Sequence, residues 1–453
     1  MKLMFVENRL KTRFWEKIAR ALEADGHDIC WLVQNHQFIP RGGTAHVISY
    51  PTKKQLQIPF PQDNGTQFVL STDRNINYFG GNGTHYGHYS SEIERILDTE
   101  RPDVVFGEST LFHELLCIKH CRDKDIRFLQ PTGCRYPNQR FSFLINDTEI
   151  PFQGSADHMS DVTALEWVDR IANRSVKPDY MHKPRRGIKI RSFLGQFQVA
   201  LGYWNGERYN TPSPWTKLAL NRKLAARKRS WELLAARPNS LTGKFIVLYP
   251  LQLQPESSLD VWGNPYKDQV KLLGALLDAT DEATVILVKP NPKSYYEISD
   301  ELLELILRHP RLVPLSHTID MASALKVAEL VVTVTGTIAI EATLAEKPVV
   351  TLMKTVGNRT SGCGYVPTLS QLGSEVQRVR EGSFPRSTPA EKIALLRHLN
   401  STSYKGVISD PVNDPSCIND INLTDVLLAF RHVLTQIESG KQSECVSLTT
   451  NFR

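Results

Sequence analysis

The second half of the chain alternates short apolar runs with amphipathic stretches, and this alternation restricts the fold more than any other feature. The apolar runs are FIVLYPL, ATVILVKP, RLVPL, LVVTV and PVVTLM, and all fall between residues 245 and 353. The stretches between them, such as 268–277 and 298–307, have the length and apolar spacing of helices. Strands alternating with helices are typical of a parallel sheet covered by helices on both faces. The sequence therefore predicts a doubly wound α/β domain over residues 244–410.

The N-terminal third repeats this pattern less sharply. KLMFV, DICWLV and DVVF read as strands, and the residues between them read as helices. We expect a first Rossmann-like domain over residues 1–160 and a basic helical insert or linker over 161–243. A C-terminal helix and tail would follow over 411–453. The predicted fold is α/β, with two Rossmann-type doubly wound domains facing across a cleft.

Composition excludes several classes of protein. Of 453 residues, 41% are hydrophobic and 23% are charged, which is ordinary for a folded domain protein and too apolar for a disordered chain. No apolar run reaches the length of about 18 residues that suggests a membrane span, and the N-terminus lacks the apolar core of a secretory signal. Seven cysteines are an odd and sparse count, typical of free thiols. We expect a cytoplasmic protein.

The net charge of +6 is modest, but its distribution is uneven. Residues 183–237 hold 13 Lys and Arg against only Glu207 and Glu232. With Trp204, Trp215 and Trp231, this insert could dock on an anionic membrane surface where a lipid-linked substrate lies. A solvated helical face is the alternative. No recognised nucleic-acid motif accompanies the charge, so a nucleic-acid partner is not expected.

Polar residues follow the predicted strands of the second domain, where ligands bind in open α/β sheets. Gln254 and Glu256 come after FIVLYPL, and Glu256 could accept hydrogen bonds from sugar or ribose hydroxyls. Lys289 and Asn291 come after the next strand, in a proline-rich turn that would preorganise their donors. Each set could instead belong to an ordinary surface turn.

A third set lies where a helix begins directly after LVVTV. Thr335, Gly336 and Thr337 open the helix, and helix N-termini bind anions through their free N–H groups. Gly336 permits close backbone approach, and Glu341 could accept hydrogen bonds from a ribose. The pattern is neither GxGxxG nor GxxxxGK[ST], which argues against a dinucleotide oxidoreductase and a P-loop ATPase.

In the first domain, Glu108 follows the strand DVVF, where a carboxylate could act as a base or bind hydroxyls. Arg135 and Arg140 lie in the next loop and are candidates for binding an acidic acceptor. Asp147 follows and is the second catalytic candidate. No metal site is expected, because His113, Cys117 and Cys121 share one helix face without a second ligand pair. A nucleophile elbow GxSxG is also missing from the sequence.

The run LQLQPESS, then VLVKPNP, then TVTGTIAIEATLAEKPVV resembles the bacterial capsule polysaccharide biosynthesis family. These are GT-B glycosyltransferases that include the retaining β-Kdo transferases of capsule and O-antigen (lipopolysaccharide) assembly. The resemblance covers residues 244–353, and the N-terminal match rests on RPDVVFGEST. The family's second motif usually reads Lys-x-His-Pro, with a His thought to contact the donor phosphate. Here it reads KPNP, and Asn291 can donate a hydrogen bond but cannot become cationic.

The resemblance implies a GT-B glycosyltransferase that needs no cofactor. The nucleotide-sugar donor, expected to be CMP-Kdo or another CMP-linked acidic sugar, would bind along the three sets of residues from Gln254 to Glu341. A glycan or glycolipid acceptor would bind near Glu108. Retaining and inverting mechanisms both remain open. The alternatives are a UDP- or GDP-sugar donor, a nucleotide-sugar epimerase, and a non-catalytic glycan-assembly protein of the same fold.

Overall fold

The structure, a computed structural model, describes residues 1–181, 197, 201–236, 243–293 and 296–440. Within these ranges the strands are β1 (Lys2–Val6), β2 (Asp28–Val33), β3 (Thr44–Val47), β4 (Val104–Phe106), β5 (Arg127–Gly133), β6 (Arg140–Ile145), β7 (Phe245–Pro250), β8 (Thr284–Lys289), β9 (Leu312–Pro314), β10 (Leu330–Thr333), β11 (Val349–Thr351), β12 (Cys363–Tyr365) and β13 (Tyr404–Lys405). The chain forms two compact units, each built on its own sheet.

The α-helices of the same ranges are α1 (Thr12–Ala24), α2 (Asn64–Thr72), α3 (Arg74–Phe79), α4 (Tyr86–Glu100), α5 (Phe112–Asp123), α6 (Asp161–Ala172), α7 (Pro214–Leu234), α8 (Ser257–Asp260), α9 (Gln269–Asp278), α10 (Asp300–Arg308), α11 (Met321–Val327), α12 (Thr337–Leu344), α13 (Leu372–Arg380), α14 (Pro389–Ser401) and α15 (Asp420–Glu438). Side-chain caps begin several of them. Asp268, Ser299 and Asp320 each accept a backbone N–H in the first turn of α9, α10 and α11.

The first unit, here called the N-terminal domain, comprises the described parts of Met1–His158, Pro178–Lys217 and Leu399–Arg453. Its sheet has the order β13-β6-β5-β4-β1-β2-β3, in which β6 is antiparallel to both of its neighbours, β5 and β13, and the other pairings are parallel. Buried aromatic rings form its core, and Phe430 of α15 lies 4.8 Å from Phe143 and 4.9 Å from Phe106, centroid to centroid. The C-terminal helix therefore packs on the N-terminal sheet.

The second unit, here called the C-terminal domain, comprises Met159–Lys177 and the described part of Leu218–His398. Its sheet has the order β12-β11-β10-β7-β8-β9, and its described strands all pair in parallel. One face buries Val247, Leu273 and Val332, and the other buries Leu248, Leu287 and Ala324. Because both faces are covered, the strands read as continuous apolar runs. The prediction of two Rossmann-type α/β domains is confirmed.

The two units divide the chain differently from the expected boundaries. The expected insert 161–243 is shared, because 161–177 and 218–236 pack in the C-terminal domain while the described residues of 178–217 group with the N-terminal domain. The expected tail joins the N-terminal domain from Leu399 onward, because α15 covers the aromatic core of that sheet. The basic stretch 183–237 lies partly outside the described residues, as do Ser294 and Tyr295.

No helix in the described part of the chain is long and apolar enough to cross a membrane. Of the three tryptophans expected to contact lipid, Trp204 and Trp215 are 55% and 81% exposed. Trp231 is fully buried and donates a hydrogen bond from Nε1 to the carbonyl of Leu315 at 2.8 Å. Its expected role at a membrane surface is therefore wrong, because it is a core residue of the C-terminal domain.

Candidate functional site

The C-terminal domain brings its three predicted sets of polar residues to one edge of the sheet. They follow β7, β8 and β10, which are neighbours in the order β10-β7-β8. The chain proceeds from β7 to β8 and β9 on one side and then returns to β10 on the other side of β7. The strand order therefore reverses between β7 and β10, and such a reversal opens a crevice at the carboxyl ends of the strands.

Gln252 ties the two strands together at this reversal. Its Nε2 donates to the Thr335 hydroxyl at 2.8 Å, and its Oε1 accepts the Thr335 N–H at 3.2 Å. Gln269 of α9 holds the backbone of Gln252 in turn, through hydrogen bonds of 2.8 and 2.9 Å. These side chains are buried and hydrogen-bonded, so the loop after β7 is fixed in place. Neither Gln252 nor Gln269 is among the site residues predicted from the sequence.

The turn Thr335–Gly336–Thr337 joins β10 to α12 in a conformation that glycine favours. Gly336 has φ +95°, and a Cβ placed on it would lie 3.2 Å from Gln252 Nε2. The first turn of α12 follows at once, so its backbone N–H groups lie at this edge of the sheet. The Thr335 hydroxyl donates to the Ser258 carbonyl at 2.6 Å and fixes the turn from the other side. Thr335 is therefore a structural support, and Gly336 and Thr337 are the partly exposed residues of the turn.

Gln254 and Glu256 differ in what their side chains contact. Gln254 is buried, and its Nε2 donates to Asp260 Oδ1 at 2.8 Å and to the Lys267 carbonyl at 3.1 Å. It thus shapes the loop that begins α8. Glu256 is half-buried, and its backbone N–H donates to Asp260 Oδ2 at 3.0 Å. Its own carboxylate makes no hydrogen bond with the described residues, so Glu256 is the member of this pair that is placed to bind a ligand.

Lys289 ends β8 as a buried cation. It is 3% exposed, and its Nζ donates to the Pro290 carbonyl at 2.9 Å without an ion pair among the described residues. Burial lowers its pKa to about 8, although the negative charges of Glu232 and Asp320 oppose that effect. Asn291 accepts the Lys293 N–H at 2.9 Å through its Oδ1 and so stabilises the turn. A desolvated lysine at a strand end is a common feature of ligand sites.

Glu341 of α12 contacts another part of the protein, although the sequence predicted that it would bind a ribose. It is buried and forms an ion pair with Arg174, in the segment that follows α6. The carboxylate is therefore used to hold 159–177 against the C-terminal domain. The sequence offered no sign of this pairing, because the two residues are 167 positions apart.

In the N-terminal domain, Glu108 lies at the carboxyl end of β4, as predicted, and forms an ion pair with Lys11. Asp147, the second catalytic candidate, does not lie at this edge of the sheet. It follows β6, which runs antiparallel to β5, so it lies at the amino end of the parallel strands and pairs with Arg122 at the end of α5. A strand of opposite direction delivers its last residue to the opposite edge.

The two predicted acceptor arginines also differ. Arg140 is 7% exposed, and its guanidinium donates to Ser155, Asp157, Ser403 and the carbonyl of Asn400 at 2.7–3.0 Å. These bonds hold the returning chain near β13 to β6, so acceptor binding by Arg140 is wrong. Arg135 is half-buried in the loop before β6, and its predicted role stays a prediction.

A cluster of buried charges at the carboxyl ends of β1 and β2 was not predicted; it is called the buried charge cluster below and comprises Glu7, Arg9, Asn35 and Glu207. Arg9 pairs with Glu207 at 2.5 Å, and Glu7 accepts the N–H groups of Arg9 and Asn35 at 2.5 and 3.0 Å. Burial and the negative charge of Glu207 raise the pKa of Glu7 to about 8. Since Glu207 is far from the others in sequence, only the fold reveals this cluster.

A second unpredicted feature lies beside Lys289. His317 comes just after β9, and its Nδ1 lies 2.5 Å from Oε1 of Glu232 on α7. A histidine that follows a predicted strand was a usable signal. The sequence did not show, however, that a glutamate 85 positions earlier holds it.

Comparison of the chain with known protein families gives a match to part of the sequence. Residues 194–358 match the family described as capsule polysaccharide biosynthesis protein. This range contains the strand ends after β7, β8 and β10, and it begins earlier than the expected 244–353. No curated protein matches the chain at a significant level.

Solved structures match at low identity. KpsC, a β-Kdo 2,7 transferase of Thermosulfurimonas dismutans, is 10% identical, with 94% of this chain and 98% of that chain covered and a TM-score of 0.38. UDP-GlcNAc 2-epimerase of Methanocaldococcus jannaschii is 14% identical, with 88% and 99% covered and a TM-score of 0.28. MurG of Acinetobacter baumannii is 12% identical, with 88% and 96% covered and a TM-score of 0.26. These TM-scores are low, so the likenesses assign no function.

The family match coincides with the motifs from which the resemblance was read, and with the edge of the sheet where the structure gathers them. Over residues 194–358, this chain is similar to the capsule polysaccharide biosynthesis family.

Proposed function

We propose that the protein is a glycosyltransferase of capsule polysaccharide biosynthesis that binds a nucleotide-sugar donor at the carboxyl ends of β7, β8 and β10. The observation that carries the proposal is the convergence of Lys289, Glu256 and the turn at Gly336 on neighbouring strands at a reversal of strand order. Such an edge provides a cation, a carboxylate for hydroxyl groups and N–H groups for an anion. The family match of residues 194–358 supports the same process.

In this mechanism the leaving group is the nucleotide, and its phosphate carries negative charge away from the sugar. Lys289 and the first turn of α12 stabilise that charge as it develops, which is the largest contribution that a preorganised site makes to group transfer. Because these groups are cationic or dipolar, we propose that transfer needs no divalent metal. Activity should therefore persist in excess EDTA.

Glu108 is the carboxylate that we propose for the acceptor side of the reaction. It follows β4 next to β1, where the strand order of the N-terminal sheet also reverses. As a base it would take the proton of the attacking acceptor hydroxyl, and as a nucleophile it would form a glycosyl–enzyme adduct. It forms an ion pair with Lys11.

We propose CMP-Kdo or another CMP-linked acidic sugar as the donor, on the strength of the motif resemblance. The test is nucleotide release from CMP-, UDP- and GDP-linked sugars, with and without a capsule oligosaccharide. Nucleotide release that needs both the acceptor and a CMP-linked sugar supports the full proposal. Nucleotide release from a UDP- or GDP-sugar would identify that sugar, instead of a CMP-linked one, as the donor. Interconversion of sugars without release indicates an epimerase, and failure of every donor to react or bind indicates a non-catalytic assembly protein.

A peripheral contact with anionic membranes is a separate proposal, supported by the exposure of Trp204 and Trp215 in a basic stretch. Electrostatic attraction to anionic lipid weakens as salt screens it. We expect the protein to sediment with anionic vesicles at low salt and to be released at high salt. Substitution of Trp215 by Ser should weaken sedimentation, and failure to sediment at low salt would contradict the proposal.

A further inference from the structure

Helix α6 ends at an arginine that pairs with the helix after the Gly336 turn. Arg174 follows Asn173, the last capping residue of α6, and its backbone is left-handed, with φ +58°. Glycine adopts this conformation without strain, whereas a side chain disfavours it. The side chain of Arg174 nevertheless lies here, and its Nη1 donates to Oε2 of Glu341 in α12. The backbone alone would favour glycine, so the contact with Glu341 is what the arginine adds.

Glu341 lies close to the backbone N–H groups that we propose for the donor phosphate. Helix α12 begins at Thr337, so Glu341 is about one turn into the helix. The Cα–Cβ bonds of a helix tilt towards its N-terminus, so the side chain of Glu341 leaves the helix towards the first turn. Only 6% of that side chain is exposed, so solvent screens its charge weakly. Without a partner, this carboxylate would repel an anion at the start of α12.

A second carboxylate lies at the start of α11, which packs on the same face of the sheet as α12. Asp320 caps the first turn of α11. Burial lowers the pKa of Lys289, and the negative charge of Asp320 is among those that oppose this effect. The pKa of Asp320 is itself lowered by hydrogen bonds from Ser323 and by the positive charges of Arg174 and Lys326. Arg174 therefore acts on carboxylates at the first turns of both helices.

We propose that Arg174 is a positioning residue of the nucleotide site, which neutralises Glu341 beside the first turn of α12 so that the donor phosphate can bind there. The inference rests on the proposed function and deepens it. Arg174 acts through the carboxylate that it pairs with and needs no contact with the ligand. With Glu341 neutralised, Lys289 and the N–H groups of α12 dominate the potential at this edge, which then attracts an anion.

Calorimetric titration of the full-length protein with CMP, CDP, UMP and UDP tests the proposal. We expect Arg174→Gly to bind about tenfold more weakly than wild type, because an unpaired carboxylate then repels the phosphate. Glycine suits the left-handed backbone, so the substitution removes the side chain without straining the end of α6. The loss should be larger for a diphosphate than for its monophosphate, because the diphosphate carries more negative charge. Arg174→Lys, which keeps the positive charge, should retain most of the affinity.

Variants of Glu341 separate the effect of charge from that of structure. Glu341→Gln removes the negative charge and should bind at least as tightly as wild type. Arg174→Gly combined with Glu341→Gln should recover wild-type affinity, although the ion pair is lost. This double variant leaves no buried charge unpaired, so it folds even where Arg174→Gly alone does not. Its comparison with Glu341→Gln then shows whether Arg174 matters to binding only while Glu341 is charged.

Arg101→Gly is the matched control. Arg101 also follows a helix, α4, in a left-handed conformation, with φ +45°, and it is exposed. The substitution makes the same change of side chain and backbone freedom at a helix end of the N-terminal domain. It should leave nucleotide affinity unchanged.

Unchanged affinity in Arg174→Gly would overturn the inference and leave the proposed function intact. Weak binding that persists in the double variant would also overturn it, because the ion pair would then act through structure. Weaker binding in Glu341→Gln alone would overturn it too, because Glu341 would then contact the ligand. Failure of the wild-type protein to bind any of the four nucleotides would overturn both the inference and the proposed function.

Discussion

Both domains contain a sheet whose strand order reverses, but the charged residues near the two reversals are arranged differently. In the N-terminal domain Arg9, which follows β1, forms an ion pair with Glu207, and Glu7 beside them has a raised pKa. In the C-terminal domain the equivalent strand ends carry Lys289 without a carboxylate partner among the described residues, beside a glycine turn and neutral amides. The charge of Arg9 is thus paired within the protein, whereas the positive charge of Lys289 is available to a bound anion.

This difference shows why charged residues at strand ends are not equivalent candidates. A buried ion pair stabilises the folded protein only as long as both members remain, and it leaves little charge for a substrate. A buried cation with a depressed pKa costs stability in the free protein, and a bound anion recovers it. This contrast supports the proposal that the nucleotide binds to the C-terminal domain. The following variants test this contrast.

Arg9→Met should have the largest effect. It leaves Glu207 buried without its partner, which costs on the order of 3 kcal/mol. Thermal unfolding should shift to lower temperature, while nucleotide affinity stays as in the wild-type protein. Arg431→Ala is the control, since Arg431 pairs with Asp25 near the surface and such pairs contribute about 1 kcal/mol or less. Equal losses of stability in the two variants would mean that the buried charge cluster contributes no more to stability than an ion pair near the surface.

Lys289→Met should not lower stability, in contrast to Arg9→Met, and it should strongly weaken nucleotide binding. Removing a desolvated charge should leave the melting temperature unchanged or raise it, because the folded state disfavours the charged amine. Nucleotide affinity should fall by about tenfold or more, as expected for loss of a charge-assisted hydrogen bond. Lys271→Met, at an exposed position of α9, is the matched control. Retained affinity in Lys289→Met would remove the lysine from the site.

Gly336→Ala tests the turn before α12. A side chain at φ +95° is strained by about 1–3 kcal/mol, and its Cβ would press on Gln252. We expect lower stability together with weaker nucleotide binding. Gly274→Ala is the comparison, because Gly274 lies inside α9 with nothing within 4 Å of an added Cβ and should gain up to about 1 kcal/mol. A Gly336→Ala protein that binds as the wild type does would show that ligand does not approach this turn.

The pH dependence of stability should have opposite slopes in the two domains. The pKa of Glu7 is about 8 in the folded protein and near the ordinary 4.5 when unfolded, so its contribution decreases as the pH rises through this window. The pKa of Lys289 is about 8 when folded and ordinarily 10.5, so stability of the C-terminal domain increases from about pH 8 upward. Amide exchange in β1 and β7 resolves the two slopes. Glu7→Gln should flatten the first slope and leave the second unchanged, and a common slope would contradict the assignment.

The strands and the C-terminal strand ends were predictable because each signal is local. A strand buried on both faces is a continuous apolar run, and the residues that follow it are read directly from the chain. Asp147 was misplaced because RFSFLI was not predicted as a strand, and this antiparallel strand carries Asp147 to the opposite edge of the sheet. Glu207 and Glu232 were missed because their partners, Arg9 and His317, come together only through folding. Arg140 was misjudged for the same reason, since its acceptors lie in the segments that pack on β6.

The central claim is that the nucleotide binds at the strand ends of the C-terminal domain. Amide hydrogen exchange with millimolar CMP, UDP, GDP, ADP or TDP tests it directly, because bound ligand protects the backbone that it contacts. The account predicts that one of these nucleotides protects residues 251–256 and 335–341, while residues 7–11 and 107–110 exchange as in the free protein. Protection confined to 7–11 and 107–110, or no protection by any of the five, would contradict it.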